Sequence, residues 1–330
     1  MRMSLGYTVP FLLRTAAQLC LADRLAGQPQ TAQQLAAITG THAPALYRLL
    51  RTLASNGVFS EDESHRFSLT PLAEPLRSGV PGSVRTSILS ITGDLFVIPW
   101  SKLLYSVQTG QPSFDHHFGE PFFDHLTTHP EEAAMFSDML MGINSGDAPA
   151  IAAAYDFSSY SHIADIGGAT GHILTTVLAS HPGPRGTLFD LPHNQAAAAE
   201  LIQSRGMADR VTFCPGSFFE SIPGGCDLYL LSHVIHDWSE EQCLTILGNC
   251  HRAMSAGSRL LIVEMVLPEG NAFHPGKALD ITMLTLAGGQ ERSEPEYRAL
   301  LEKANFQLTR VIPTNSPVSI VEAIPASRGL

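Results

Sequence analysis

The sequence has little positive charge and no cysteine pattern. Its 330 residues include 20 Lys and Arg against 31 Asp and Glu, a formal net charge of −11 at pH 7. Because contact with phosphates needs a basic surface, this balance disfavours a nucleic-acid partner. The five cysteines are odd in number and show no C-x-x-C spacing. They indicate reduced, mostly core thiols in a cytoplasmic protein.

Long apolar runs are missing as well. No stretch approaches the roughly 18–20 apolar residues of a membrane span, so we expect no contact with a membrane. The apolar N-terminal segment carries Arg14 and Asp23 at helical spacing and has no small-residue cleavage site, so we expect no signal peptide. Apolar residues make up 44% of the chain, enough to bury the core of one large or two smaller domains.

The N-terminal segment predicts a winged helix. Residues 7–25 are apolar around almost the whole circumference of a helix, which is typical of burial by a partner subunit. Two short helices at 31–40 and 43–56 and a hairpin at 58–70 follow. A winged helix can bind DNA, but three acidic residues, Glu61 to Glu63, lie in the wing itself. Formation of a homodimer is therefore the favoured role, and a DNA-binding regulator is the remote alternative.

Strands and helices alternate in the second half of the chain. This alternation predicts an α/β fold, a Rossmann-like parallel sheet with helices on both faces and a ligand site at the carboxyl ends of the strands. Residues 82–147 are predicted to be helical, with a polar break at 109–119. The predicted domains are a winged-helix dimerisation domain (1–90), a helical connector that roofs the substrate site (91–148) and a cofactor domain (149–330). The predicted strands are 162–166, 185–190, 211–214, 227–232, 259–266 and a closing hairpin of 306–313 with 318–323.

A glycine turn follows the first strand of this sheet. In Asp165-Ile-Gly-Gly-Ala-Thr-Gly171 the missing Cβ atoms let the backbone curl and a ligand approach, and the next helix points its amides at that ligand. The turn lacks the G-x-G-x-x-G order of dinucleotide binders and the Gly-Lys-Ser/Thr ending of a phosphate loop. Asp190, roughly 20 residues later, ends the next strand, where a carboxylate holds ribose hydroxyls. An adenosyl ligand without phosphates is indicated, with S-adenosylmethionine as the leading candidate.

The connector contains one pair of histidines at a spacing that can bind a metal. His125 and His129 stand four residues apart, but Pro130 ends their turn and no third ligand lies at a helpful interval. We therefore predict no metal site. Aromatic and Met side chains crowd the same region, and some of them are expected to roof the substrate site.

Five segments together resemble one enzyme family. They are the glycine turn, Phe189-Asp-Leu-Pro192, Leu231-Ser-His-Val-Ile-His-Asp-Trp238, Glu264 and Gly288-Gly-Gln-Glu-Arg292. Nearly the whole chain is similar to the S-adenosylmethionine-dependent O-methyltransferases of the plant caffeic-acid and bacterial secondary-metabolite type. The resemblance implies a class I methyltransferase domain, a homodimer joined through the N-terminal domain, and a small aromatic acceptor. It also implies S-adenosylhomocysteine as the product, without a metal.

The resemblance assigns the chemistry to His236. This residue would be the general base that takes the proton of the acceptor hydroxyl, with Glu264 and Glu291 orienting its imidazole and Asp237 beginning the next helix. A phenol with a pKa near 10 is a poor nucleophile at neutral pH, and ionising it costs on the order of 4 kcal/mol. A neutral imidazole at hydrogen-bond distance typically contributes about 10²–10⁴ in rate.

The resemblance also implies the residues of two binding sites. Ser217 stands where the family has an acid on the adenine side, and Ser232 and His233 stand where the plant members have Lys and Trp. The same fold and cofactor could instead serve N- or carboxyl methylation, or a non-methylating rearrangement or decarboxylation. The implied cofactor site is Asp165, Gly167, Gly168, Gly171, Asp190, Leu191, Gly216, Ser217, Phe218, Ser232 and Asn144. The implied acceptor site is Trp100, Phe122, Phe136, Leu140, His233, Met283 and Leu286.

Overall fold

The computed structural model describes residues 3–326, which fold into two compact units. The first unit contains Met1–Ser101 and Phe123–Ser145, and the second contains Lys102–Phe122 and Gly146–Leu330. The segment predicted to be a connector is thus divided between the two units. Each part of this segment belongs to the unit whose apolar core it packs with, and the order of the residues in the sequence does not show which unit that is.

The helices and strands are numbered here in chain order. The helices are α1 Thr8–Gln18, α2 Leu21–Leu25, α3 Ala32–Thr39, α4 Ala43–Ser55, α5 Arg85–Ile91, α6 Asp94–Ser101, α7 Leu103–Thr109, α8 Ser113–Phe118, α9 Phe122–Thr128, α10 Pro130–Ile143, α11 Asp147–Ala154, α12 His172–Ser180, α13 Gln195–Ser204, α14 Glu240–Ala253, α15 Gly276–Leu286 and α16 Glu294–Lys303. The strands are β1 Gln30–Thr31, β2 Phe59–Glu61, β3 Arg66–Leu69, β4 His162–Ile166, β5 Arg185–Asp190, β6 Val211–Pro215, β7 Leu228–Ser232, β8 Arg259–Glu264, β9 Phe306–Pro313 and β10 Ser319–Pro325.

The first unit contains the predicted winged helix. Strands β1, β3 and β2 form an antiparallel sheet in that order, and α3 and α4 pack with it around a core that includes Leu35, Leu50 and Phe67. Thr31 caps α3 through a capping box with Gln34, which fixes where that helix begins. The single helix predicted for residues 7–25 is wrong, because the chain breaks at Cys20, whose φ of 50° lies in the left-handed region.

The second unit is a doubly wound α/β domain. Its seven strands lie in the order β6-β5-β4-β7-β8-β10-β9, parallel except for β10, which runs antiparallel to both of its neighbours. Apolar clusters cover both faces of the sheet, one including Leu231 and Ile262 and the other including Ile163 and Leu230. The predicted Rossmann-like fold is confirmed. The carboxyl ends of β4, β5, β6, β7 and β8 therefore meet along one edge.

The sequence did not predict three of the helices, α8, α11 and α15. Helix α8 lies inside the segment predicted as a polar break, because Phe114 is fully buried and stacks on Phe118 at 4.3 Å between ring centroids. Two aromatic residues four positions apart stabilise one helical turn even in a polar sequence. Helix α15 was not predicted either, although it carries Met283 and Leu286.

No single helix within residues 3–326 is long and apolar enough to cross a membrane. One pair of helices separated by a short break, Arg85–Ser101 and Leu103–Thr109, passes the same test when combined, by length and composition only.

Candidate active site

The glycine turn after β4 is closely packed. Gly167 has a φ of +73°, and a Cβ there would lie 2.9 Å from Val234 Cγ2 and 3.3 Å from Phe218 Cε1. A Cβ on Gly168 would lie 2.5 Å from the carboxyl group of Asp165, and one on Gly171 would lie 2.8 Å from Leu188. Larger residues would therefore push the turn away from the strands below it.

Asp165 lies beneath this turn rather than over it. Its side chain is buried, and neither carboxylate oxygen forms a hydrogen bond of ordinary geometry with residues 3–326. Burial raises the pKa of Asp165 to about 7, the negative charge of Asp190 adds to the rise, and the amide of Leu174 offsets only part of it.

Asp190 connects two loops at the carboxyl edge of the sheet. Ala169 N–H donates to its Oδ2 at 2.7 Å, while Leu191 N–H and the Asn194 side-chain amide donate to its Oδ1 at 2.6 and 2.8 Å. A carboxylate offers about four acceptor positions, so about one remains on Oδ2. Leu191 is 44% exposed beside it.

The segment after β6 supplies an aromatic wall. A Cβ on Gly216 would lie 2.5 Å from the Phe189 ring, so a larger residue there would require that ring to shift. Phe218 packs edge-on to Phe219 at 4.9 Å and to Trp238 at 5.9 Å. The Ser217 hydroxyl accepts a 3.3 Å hydrogen bond from the Phe219 amide.

These features fit a bound adenosyl group with an amino-acid tail. Asp190 keeps an acceptor position at the strand end where ribose hydroxyls are held. The Ser232 hydroxyl, buried at the end of β7, has no hydrogen-bond partner in the described part of the chain. A buried hydroxyl without a partner costs free energy, and a polar ligand atom would satisfy it.

A single 3₁₀ turn, Ile235–Asp237, carries the predicted base. Glu264, the last residue of the neighbouring strand β8, points its carboxylate into the amino end of that turn. Its Oε1 accepts hydrogen bonds from the backbone N–H groups of Val234, Ile235 and His236, at 3.1, 3.0 and 3.3 Å. Glu264 is fully buried and therefore fixes the backbone of the turn as well as flanking the imidazole.

The imidazole of His236 is held on its Nδ1 side. Nδ1 lies 2.5 Å from Glu291 Oε1 and 3.2 Å from Glu264 Oε2, and both glutamates are fully buried. A hydrogen on Nδ1 is therefore favoured, which leaves Nε2 as the lone-pair nitrogen of the neutral ring. Nε2 lies 3.5 Å from Asp237 Oδ1.

Burial and the neighbouring carboxylates have opposite effects on the pKa of His236. Burial lowers the pKa of His236, but the carboxylates of Glu264, Asp237 and Glu291 outweigh it and raise the pKa to about 10. Burial raises the pKa of Glu291, and the facing imidazole opposes that rise. The 2.5 Å contact favours a hydrogen on Nδ1 between the two groups, on the side of the ring away from Nε2.

Asp237 does not begin the next helix, as the resemblance implied. It ends the 3₁₀ turn, and α14 begins at Glu240 after a capping box between Ser239 and Gln242. The Ser239 hydroxyl accepts the Gln242 amide hydrogen, so the helix begins where its cap is satisfied.

The loop that carries Glu291 lies directly against this turn. Gln290 N–H donates to the His236 carbonyl at 2.8 Å, and Glu291 N–H donates to Asp280 Oδ1 at 3.0 Å. Gly289 is buried there, and a Cβ would overlap the His236 carbonyl oxygen. The sequence analysis assigned no role to Gly289 or Asp280, since both act through tertiary contacts.

His233 is also held in an unusual position. Its φ of 52° lies in the left-handed region, which is costly for a residue with a side chain. Its Nε2 lies 3.0 Å from Asp147 Oδ2 at the start of α11, and its ring centroid lies 5.6 Å from that of His236. Asp147 was not predicted.

The predicted acceptor residues are divided between the two units. In the second unit Phe122, Met283 and Leu286 are buried, and Phe122 packs edge-on to Phe114 at 5.1 Å. In the first unit Trp100 and Leu140 are each 39% exposed, Phe136 stacks on Phe96 at 6.5 Å, and Asn144 ends α10. Their role in binding an acceptor stays a prediction, as does that of Asn144 in binding the cofactor.

The histidine pair of the connector has a local explanation. The rings of His125 and His129 stack at 3.8 Å between centroids, and His125 Nε2 lies 2.8 Å from Glu132 Oε2. Stacking of the two rings therefore also accounts for their four-residue spacing.

Gly289→Ala tests the close approach of the two loops. The added methyl group would overlap the His236 carbonyl and lie 2.7 Å from the Asp237 carbonyl carbon, and backbone atoms yield only at high cost. We expect a loss of about 1–3 kcal/mol in stability and at least a tenfold fall in kcat, measured by thermal unfolding and steady-state turnover. Gly257→Ala is the control, since a Cβ there meets nothing within 4 Å. Equal stability and equal kcat of the two variants would show that the close approach of Gly289 to the His236 turn is not needed.

Comparison with known proteins identifies the family. The sequence model of the O-methyltransferase domain matches residues 100–307, and that of the O-methyltransferase dimerisation domain matches residues 1–78. The phenazine O-methyltransferase PhzM of Lysobacter antibioticus is 44% identical over 325 residues, which cover 98% of this chain and 95% of that protein.

Solved structures agree with this result. The mitomycin 7-O-methyltransferase MmcR is 37% identical, with a TM-score of 0.91 over 98% of this chain and 96% of that chain. An O-methyltransferase from neocarzinostatin biosynthesis, solved with S-adenosylmethionine and 2-hydroxy-5-methyl naphthoic acid, is 32% identical, with a TM-score of 0.83 over 96% of each chain. The chain therefore belongs to the S-adenosylmethionine-dependent O-methyltransferases that join a dimerisation domain to a Rossmann-like methyltransferase domain.

Proposed function

We propose that the protein methylates a phenolic hydroxyl of a small aromatic metabolite, with His236 as the general base. The observation that carries this proposal is the 2.5 Å contact between His236 Nδ1 and Glu291 Oε1, on a turn whose backbone Glu264 fixes. It orients a buried imidazole so that only Nε2 is available to an acceptor.

The cofactor site of the proposal lies along the carboxyl edge of the sheet. Asp190 would hold the ribose hydroxyls, Phe218 and Ser217 the adenine, and the turn at Gly167 and the Ser232 hydroxyl the amino-acid part. S-adenosylmethionine, when bound, supplies an electrophilic methyl group on a positively charged sulfur.

The protein's own groups then handle the proton. In its neutral form His236 keeps a hydrogen on Nδ1, facing Glu291, and offers the Nε2 lone pair to the acceptor hydroxyl. A positive charge near the ring would oppose protonation of the imidazole and lower its raised pKa. Accepting the proton as the oxygen attacks contributes about 10²–10⁴ in rate, and holding the reacting groups in line supplies the rest.

The comparisons support a flat, fused-ring acceptor. One similar protein is a phenazine O-methyltransferase, and another was solved with 2-hydroxy-5-methyl naphthoic acid. The apolar residues Phe122, Met283 and Leu286 in the second unit suit an aromatic ring. The match to the dimerisation domain supports a homodimer, and the five free cysteines favour the cytoplasm.

Turnover of a panel of acceptors tests the proposal. The protein is incubated with S-adenosylmethionine and phenols, naphthols, hydroxyphenazines, aromatic amines and carboxylic acids, and both S-adenosylhomocysteine and the methylated product are quantified. We expect methyl ethers of fused-ring hydroxyl compounds. Methylation of only amines or carboxylates, or a converted substrate without S-adenosylhomocysteine, would contradict the proposal.

A further inference from the structure

Arg292 is a buried cation whose role the proposed mechanism leaves open. It lies directly after Glu291 and is only 4% exposed. Burying a guanidinium is costly unless its hydrogens are satisfied and its charge is balanced. Within residues 3–326 no carboxylate lies within ion-pair distance of it. A guanidinium on the surface keeps its hydration and avoids this cost, so the burial of Arg292 needs a specific explanation.

The guanidinium bridges the two segments that build the base. Its Nη1 donates to the Ile235 carbonyl in the turn at 3.3 Å and to the Gln290 carbonyl in the loop at 3.0 Å. Its Nη2 lies 3.7 Å from Cys243 Sγ, and that sulfur in turn lies 3.2 Å from the Ile235 carbonyl. The backbone of Arg292 is itself anchored, since its carbonyl accepts Leu267 N–H at 2.9 Å. The side chain therefore fastens the turn of His236 to the loop of Glu291.

The charge of this side chain is not neutralised by the sulfur it contacts. Burial raises the pKa of the Cys243 thiol to about 11, so the thiol stays neutral. Burial also raises the pKa of Asp280, and the positive charge of Arg292 opposes that rise. The positive charge of the guanidinium therefore acts on Asp280, whose carboxylate in turn accepts the Glu291 amide hydrogen.

His236 is faced by charged and titratable groups from every element packed around it. The positive charge of Arg292, next to Glu291 in the chain, opposes the acids that favour the imidazolium. These groups are Glu264 from β8, Asp237 and His233 from its own segment, Glu291 and Arg292 from the loop after α15, Asp280 from α15, Cys243 from α14 and Tyr297 from α16.

We propose that Arg292 is a positioning residue for the transfer reaction, which fastens the two segments and, by its charge, keeps the imidazole of His236 from being trapped as the cation. The guanidinium acts only through His236 and its glutamates. The inference rests on the proposed role of His236 as the base.

The test follows the titration of His236 in the whole protein, without turnover. Protein labelled with ¹³C or ¹⁵N in histidine is titrated by NMR in the presence of S-adenosylhomocysteine, and the His236 signal is assigned from its absence in His236→Gln. Replacing the cation in Arg292→Gln should raise the pKa of His236 by about one pH unit. Arg292→Lys keeps the charge and should stay near the wild-type value. Arg298→Gln, which removes an exposed ion pair with Glu294, is the matched control.

Turnover provides a second readout. The acidic limb of the kcat–pH profile should move upward by the same amount in Arg292→Gln, so that kcat falls about tenfold at pH 7 and recovers at high pH, while the KM for S-adenosylmethionine changes little. Loss of packing alone would lower kcat equally at every pH. Arg292→Lys should restore the profile.

Each outcome decides the proposal. It is overturned if folded Arg292→Gln leaves the His236 titration and the kcat–pH profile unchanged, or if the Lys and Gln variants behave alike. If Arg292→Gln does not bind S-adenosylhomocysteine, Arg292→Met replaces it; failure of both neutral variants while Arg292→Lys binds would show a role in folding, and would also overturn the proposal. Full turnover by His236→Ala would instead remove the proposed function itself, whatever the titration shows.

Discussion

His236→Ala is expected to lower kcat by about 10²–10⁴ while the Kd of S-adenosylmethionine changes less than about threefold. The substitution removes the only nitrogen that the surrounding contacts leave available to an acceptor, since Nδ1 already faces Glu291 at 2.5 Å. It leaves the residues at the carboxyl ends of β5 and β6 unchanged. Steady-state turnover and isothermal titration calorimetry measure the two quantities separately.

Chemical rescue separates loss of the base from loss of structure. Imidazole added to His236→Ala should restore part of kcat, in proportion to the concentration of neutral imidazole, because the substitution leaves space for it beside Glu264 and Glu291. His42→Ala is the control: its side chain is exposed and makes no capping hydrogen bond. Turnover by His236→Ala within about threefold of wild type would show that another group takes the proton.

Glu264→Ala and Glu264→Gln are expected to differ sharply in stability. The carboxylate accepts three backbone N–H groups and is fully buried, so alanine leaves those donors without a partner. We expect a loss of about 3–5 kcal/mol and little activity. Glutamine retains an oxygen that accepts the N–H groups, but it replaces the charged Oε2 beside the imidazole with a neutral NH2 group.

The glutamine variant isolates the electrostatic part of the role of Glu264. Glu264→Gln should unfold within about 1–2 kcal/mol of the wild type, and the acidic limb of its kcat–pH profile should move to lower pH because the imidazolium loses one of its stabilising acids. Thermal unfolding and turnover at several pH values measure both effects. Equal stability of the two variants would show that Glu264 does not hold the turn.

Sequence reasoning located the residues that depend on strand order. Asp190 ends β5 and Glu264 ends β8, and the β-α alternation was enough to predict a shared edge for both. The fold class follows from the same alternation. His236 was predicted from the resemblance, and its contacts with Glu264 and Glu291 are present in the structure.

The sequence did not predict contacts between segments that are far apart along the chain. Asp147 and His233 are 86 positions apart, and no local periodicity connects them. Arg292 reads as an ordinary surface cation beside Glu291 until its burial is known. Helix α8 was not predicted because its segment is largely polar, and the sequence does not show that Phe114 is buried and stacks on Phe118.

A crystal structure with S-adenosylhomocysteine and a fused-ring phenol tests the central claim most directly. The account predicts that the acceptor hydroxyl oxygen lies about 2.6–3.2 Å from Nε2 of His236, on the side of the ring opposite Glu291, and points at the sulfur. A hydroxyl directed at another side chain, with Nε2 turned away from the acceptor, would contradict it.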